Sequence, residues 1–326
     1  MRAPVALVTG ASGAVGPALV ARLLQEGYPV RVLSRGRRPA AWPEAVEARH
    51  GDVVDRVAVA GAVAGVDLVF HLAGLLHVTR PTPALTREYE RVNVEGARVV
   101  AEESTRAGVS RLVLFSTIAV YGPTGPDGAD EDTPPRPDSP YAQTKLRAEE
   151  VVRRFDRTAE LRTSVLRLAA VYGPRVTGNY ARLVRAIESG WFLPVGEGLN
   201  RRTLVHEADV AEAALLAARS PQAAGRLYNV SDGDTHRLRD VLEAMCLSLG
   251  RPYPRLRLPI GLARAVAKTG DTFLAPFGAA PRFSSALDKY TEDVAVRAER
   301  IQRELGFRPR FDLRSGWSDA LRSRRG

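Results

Sequence analysis

The chain has 326 residues, 45% of them apolar and 26% charged, which excludes wholesale disorder and leaves room for one large α/β unit with an appendage or for two to three domains. The formal net charge is +10, yet the 44 arginines are dispersed and aromatic residues reach only 6%, so the aromatic-interleaved basic stretch of a single-strand nucleic-acid binder is missing. One cysteine, Cys246, excludes an intrachain disulfide framework and a cysteine-rich zinc site, and makes a cytoplasmic setting the default.

The first 170 residues alternate short apolar runs with longer helical patterns. Strands are expected at Val5–Thr9, Val30–Ser34, Val46–His50, Leu68–Leu72, Leu112–Ser116 and Thr163–Ala169. Helical spacing falls between them, at Gly16–Glu26, Asp55–Ala64, Glu88–Ala107 and Tyr141–Phe155. Several strands are apolar throughout, as in a sheet covered on both faces. Alternating β and α with short links predicts a doubly wound parallel sheet.

After about residue 174 the texture changes. Gly173–Arg202 is rich in Gly, Pro and Arg, with one helical pattern at Tyr180–Glu188. Leu204–His206 and Leu227–Val230 read as strands around a helix at Asp209–Ala218. The tail Val294–Leu305 reads as a helix stopped by Gly306. This predicts a first unit of 1–174 with a return segment near 203–235, and a smaller unit built from 175–202 and 236–326. The apolar, basic segment Pro259–Phe277 reads first as a core helix of the smaller unit. Its composition also suits a lid over an apolar pocket or a membrane surface. No uncharged run reaches the roughly 20 residues that span a bilayer, so no transmembrane segment is expected.

Glycines at 10, 13 and 16 follow the first strand and open the first helix. Glycine there lets the backbone turn tightly and approach a pyrophosphate, with the helix amides facing the anion. The second strand ends without the acid that would bond a ribose hydroxyl. Ser34 and Arg35, with Arg37 or Arg38 alongside, suit a 2′-phosphate and favour NADP over NAD. The same arginines also read as solvated loop charges. Asp52, before Val53, suits an adenine amino group, or equally a helix cap.

Tyr141 and Lys145 share one helical face at i,i+4. An ammonium beside a phenol lowers its pKa and lets it exchange a proton with an alcohol or carbonyl. Lys145 is one of only three lysines, with Lys268 and Lys289. Thr117, at the end of the fifth strand, is placed to bond the reacting oxygen, with Ser116 as runner-up. Both also fit a cap. His71, His77, His206 and His236 have no metal-like spacing, and no metal is expected.

Glycines 10 to 16, Asp52, His71 to Gly74, Asn93, Thr117, Tyr141 with Lys145, and Val171 to Arg175 occur in order. Together they resemble the extended short-chain dehydrogenase/reductase family, the NAD-dependent epimerase/dehydratase group. The likeness extends through Arg202 to Asp209, Tyr228 to Val230 and Leu305 to Pro309. It implies an α/β fold with a doubly wound Rossmann-type parallel sheet and a smaller C-terminal α/β substrate domain. Tyr141 would be the acid/base, Thr117 its partner on the substrate oxygen, and Lys145 the holder of the nicotinamide ribose. The cofactor residues would be Gly10, Ser12, Gly13, Ala14, Val15, Gly16, Ser34, Arg35, Asp52, Val53, Leu72, Ala73, Gly74 and Asn93, with Tyr141 and Lys145. Ser116, Arg175, Asn179 and Arg202 would face substrate, Arg202 on a diphosphate. A homodimer through Glu88–Ala107 and Tyr141–Phe155 is also implied.

Three departures narrow the activity. Dehydratases of the family carry an Asp-Glu pair after the threonine; here stand Ile118 and Ala119. Nucleotide-sugar enzymes usually place Asn where Ala170 stands. The second-strand end favours NADP, whereas epimerases keep NAD. The expectation placed first is 4-epimerisation of a nucleotide sugar, such as a UDP-sugar, or of another diphosphate-linked sugar. The alternative is an NADP-dependent ketone reductase, hydroxysteroid-dehydrogenase-like, on an apolar substrate. A non-catalytic NADP-binding regulator is more remote, because Tyr141 and Lys145 are both kept. No nucleic-acid partner is expected.

Overall fold

In the computed structural model, which describes residues 3–36, 42–75, 82–158, 161–175, 177–274 and 283–322, the apolar runs become a single parallel sheet. The strands are β1 (Ala6–Thr9), β2 (Val30–Ser34), β3 (Val46–His50), β4 (Leu68–His71), β5 (Arg111–Thr117), β6 (Arg162–Leu168), β7 (Ala170–Tyr172), β8 (Arg201–Arg202), β9 (Leu204–His206), β10 (Leu227–Val230) and β11 (His236–Arg237). Seven pair in the order β10-β6-β5-β4-β1-β2-β3. The order reverses between β1 and β4, where an open α/β sheet makes its ligand crevice. Short pairs β7-β9 and β8-β11 lie outside the main sheet.

The helices are α1 (Gly16–Gln25), α2 (Arg56–Val63), α3 (Pro83–Tyr89), α4 (Gly96–Arg106), α5 (Pro140–Thr158), α6 (Gly178–Glu188), α7 (Glu207–Arg219), α8 (Leu238–Ser248), α9 (Ile260–Leu274), α10 (Phe283–Thr291), α11 (Glu299–Leu305) and α12 (Leu313–Ala320). One sheet face packs on α1 and α7, through Leu19, Leu23, Val210 and Leu215. The other packs on α2, α4 and α5, through Val59, Val100 and Val152. Cover on both faces is why β1 and β4 are buried along their whole length. A third core joins α6, α8 and α12 around Trp317, whose ring stacks on Tyr172 at 4.7 Å.

Three sequence expectations change. The Glu88–Ala107 pattern is not one helix: a π turn, Glu90–Glu95, separates α3 from α4. The turn carries Asn93, whose side chain binds Leu75 N–H at 2.9 Å and Thr144 Oγ1 at 3.1 Å. The tail is helical only over Glu299–Leu305; Val294 and Val296 bridge to Arg202 and Ala129 as extended chain. Gly306 does end the helix in the left-handed conformation. The described part of Pro259–Phe277 is a helix that enters only a small core, and by its small residues. It buries Ala263 and Ala267 and turns Leu262, Val266 and Phe273 outward. No described helix is long and apolar enough to cross a membrane.

Candidate active site

A cleft of about 1250 Å³ opens at the carboxyl ends of β1, β2, β4 and β5. Gly10, Ser12, Gly13, Ala14, Val15 and Gly16 form its floor, with Ser34, Arg35, Asp52, Val53, Leu72, Ala73 and Gly74 around them. Gly10 holds φ at +72°, and a Cβ there would stand 2.6 Å from the Ala73 nitrogen. A Cβ on Gly16 would stand 2.3 Å from the Ala11 oxygen. Helix α1 has no side-chain cap and no acid in its first turn, so its amide end is left for an anion. The cradle fits the diphosphate of a dinucleotide. Gly10→Ala adds strain of roughly 1–3 kcal/mol in that backbone. Dinucleotide affinity should fall at least about tenfold, read by fluorescence titration. Unchanged affinity would remove the loop from the cofactor site.

Beyond β2, Ser34 Oγ accepts Gly36 N–H at 3.2 Å, and the Arg35 side chain is exposed without an ion pair among the described residues. Arg37, Arg38 and His77 lie outside the described residues. Asp55, not Asp52, caps α2, accepting Val57 N–H at 2.9 Å and Ala58 N–H at 3.2 Å. Asp52 is therefore left facing the cleft, with Arg91 Nη2 at 3.6 Å. Asn93 does not line the cleft; it fixes Leu75 and the first turn of α5 from behind.

Strand β5 and helix α5 deliver the catalytic candidates. Thr117 ends the strand, Ser139 Oγ accepts Ala142 N–H at 3.3 Å near the helix start, and Tyr141 and Lys145 follow. Thr117, Tyr141 and Lys145 all reach the cleft. Burial pushes the Tyr141 phenol up to about 12, while a hydrogen bond with Thr117 pulls the other way. Lys145 Nζ is buried and donates to the Phe115 carbonyl at 2.6 Å, and burial lowers its ammonium to about 8. The downward pull on Tyr141 comes from the Thr117 hydrogen bond. His71 binds Thr9 Oγ1 through Nδ1 at 2.8 Å, and burial holds it down to about 3, so it stays neutral and structural.

Under β5 lies a buried polar network that the sequence reading missed. Ser116 Oγ donates to Glu149 at 2.5 Å. Glu149 also takes Arg167 Nε at 3.0 and 3.1 Å and Nη2 at 2.6 Å. Arg167 lies 4.7 Å over the Tyr121 ring, and Tyr121 Oη donates to Asn229 Oδ1 at 2.9 Å. Glu149 is one turn beyond Lys145 on α5. The helical spacing was a usable signal for the acid; its arginine partner, on β6, needed the fold.

On the substrate side, Asn179 lines the cleft with Tyr180 and Arg182 of α6. Arg175 is exposed and away from the lining. Arg202 differs most from expectation. Its guanidinium is buried, donating to the carbonyls of Lys289 at 2.9 Å and Tyr290 at 3.1 Å, and to that of Glu292. It thus caps the C-terminus of α10, where free carbonyls favour a cation. Lys289 was missed: its Nζ binds Asp138 at 2.7 Å and Glu292 at 3.2 Å on the cleft rim. A contact across 151 residues leaves no local signal.

Residues 6–231 match the family described as NAD dependent epimerase/dehydratase. The chain belongs to that family. This makes it an NAD(P)-dependent enzyme of the extended short-chain dehydrogenase/reductase type, with the cleft as its candidate active site. It is 32% identical over 324 residues to 4-hydroxy-2-methyl-3-oxo-4-farnesyl-3,4-dihydroquinoline-1-oxide ketoreductase of Stigmatella aurantiaca, across 97% of this chain and 95% of that one. It is 30% identical over 258 residues to N-acetyl-alpha-D-glucosaminyl-diphospho-ditrans,octacis-undecaprenol 4-epimerase of Escherichia coli O157:H7, across 78% and 76%. Among solved structures it is similar to MoeE5 in complex with UDP-glucose and NAD. The TM-score is 0.77 at 29% identity, over 98% and 99% of the two chains. The chain's relatives thus include epimerases, dehydratases and reductases.

Proposed function

We propose that this family member is an NADP-dependent ketone reductase, or the reverse secondary-alcohol dehydrogenase, acting on an apolar substrate. The observation that carries the reading is the burial of Arg202 in the carbonyls of α10, which removes the cation expected on a substrate diphosphate. Ala170 lines the crevice without a polar side chain where a sugar-nucleotide enzyme usually has Asn. The neutral Tyr141 phenol suits protonation of a carbonyl oxygen, with Thr117 on the same oxygen. The bound nicotinamide would supply hydride; the chain supplies orientation and the proton. Ile118 and Ala119 offer no acid or base for elimination of water. The ketoreductase from Stigmatella aurantiaca supports the same class.

The second reading, 4-epimerisation of a diphosphate-linked sugar, was placed first by the sequence and is supported by the undecaprenol-linked 4-epimerase of Escherichia coli O157:H7 and by MoeE5, which carries UDP-glucose on a similar chain. The two separate in one assay. NADPH consumption with an apolar ketone, and none with UDP-glucose, supports the reductase. Interconversion of UDP-hexoses without net cofactor turnover overturns it. A homodimer through the outer faces of α4 and α5 belongs to the same proposal.

The cofactor preference rests on Arg35 and Ser34 at the cleft edge. Arg35→Ala should weaken NADP about tenfold, a loss of ~1.4 kcal/mol, and change NAD little. Isothermal titration of both cofactors checks this; equal weakening, or none, would assign Arg35 to solvent.

A further inference from the structure

We propose that the α9–α10 face is a docking surface for an anionic lipid membrane. Nine of the eleven large apolar side chains that stand exposed among the described residues fall in two stretches, 191–199 and 256–283. They are drawn together by backbone pairing: Leu258 N–H donates to the Pro194 carbonyl and Gly196 N–H to the Leu258 carbonyl, both at 2.9 Å. Val195 and Leu258 then join Ala263, Ala267 and Leu287 in a small core that binds the loops to α9 and α10. The two stretches therefore lie side by side, with Trp191 88% and Leu256 78% exposed.

Helix α9 is oriented against the usual rule for a surface helix. It buries two alanines and presents Leu262, Val266 and Phe273, at spacings of four and seven, outward. Packing within the chain does not account for that choice, because the large side chains gain nothing from the core they could have filled. Exposed apolar area of this kind marks a partner or a membrane.

Charge selects the partner. Residues 191–199 and 251–274 together hold five cations and two acids, Glu197 and Asp271, and Glu197 pairs with Arg257. Asp271 is committed to capping α10, accepting Phe283 N–H at 3.0 Å and Ser284 N–H at 2.9 Å. Arg255, Arg264 and Lys268 have no ion pair among the described residues. Arg264 and Lys268 lie on one edge of the exposed arc of α9, and the apolar stripe lies on the other. With the stripe at the acyl boundary, the two cations project from the opposite flank of α9, and their long side chains reach round it to headgroups. Trp191 suits the interface between them. Since no described helix can cross a bilayer, the association is peripheral. Lys289 and Ala286 of α10 line the catalytic crevice, so the docked face adjoins its mouth.

The test is co-sedimentation of the full chain with phosphatidylcholine vesicles, with and without phosphatidylglycerol. Binding should need the anionic lipid and weaken as salt rises. R264E/K268E should lower affinity on the order of tenfold or more, taking about fivefold per cation. V266S/F273S should abolish pelleting without lowering the melting temperature, both positions being exposed. Three results would overturn the proposal. One is wild type that stays in the supernatant at low salt. Another is salt-independent pelleting. The last is a wild-type dimer in light scattering that V266S/F273S converts to monomer, which would make a second copy the occupant. None of these readouts depends on the reaction catalysed.

Discussion

Tyr141→Phe should reduce turnover by about 10²–10⁴-fold while leaving dinucleotide affinity nearly unchanged. The variant removes one oxygen. The ring stays, packed edge-on against Tyr89 at 5.9 Å, and so does the cradle of Gly10 and Gly16. On the proposed ketone-reductase reading, what is lost is the proton donor at the carbonyl oxygen. Burial keeps that proton on the phenol up to about pH 12, so wild-type reduction should draw on a fully protonated donor through neutral pH. Steady-state kinetics with a separate cofactor titration checks both halves. Turnover at the wild-type rate would remove Tyr141 from the chemistry. A large loss of cofactor affinity would make it a binding residue instead.

The second large effect is on stability. Glu149→Ala should lower unfolding free energy by about 3–5 kcal/mol, measured by denaturant titration. The change leaves the Arg167 guanidinium buried without its carboxylate and Ser116 without its acceptor. Removing the exposed pairing of Arg98 with Glu95 and Glu102 should cost less than about 1 kcal/mol, since water screens it. Replacing Glu149 and Arg167 together by apolar residues of similar volume should recover much of the loss. If the single and double variants lose equally, the pair contributes through packing and not through its charges. The position also bears on the site. Ser116 lines the crevice and donates its proton to Glu149, which leaves its hydroxyl only as an acceptor for any further partner.

Much of this was readable along the chain, for a stated reason in each case. Strand β1 and the glycines after it are contiguous, and the requirement for glycine is local: a tight turn and a close approach. Tyr141 and Lys145 lie four apart on a helix, so their common face follows from helical geometry. Asp52 was placed near the cofactor, but whether it capped α2 stayed open until Asp55 was seen to take the α2 amides. The π turn at Asn93 escaped the pattern because one inserted residue does not disturb an apolar stripe enough to be seen.

The sequence by itself determined the strand and helix pattern of the α/β layering, the glycine turn after β1 and the shared face of Tyr141 and Lys145, because each depends on residues within a few positions of one another. The tertiary structure decided which charges were free to act. Arg202 and Lys289 are both cations near the crevice, yet one is consumed by the carbonyls ending α10 and the other holds Asp138 across the rim. Arg167 became the partner of a glutamate 18 residues away through strand pairing and helix docking. The net charge of +10 said nothing of this. A side chain's charge is written in the sequence, but its availability depends on which distant groups the fold brings within about 3 Å.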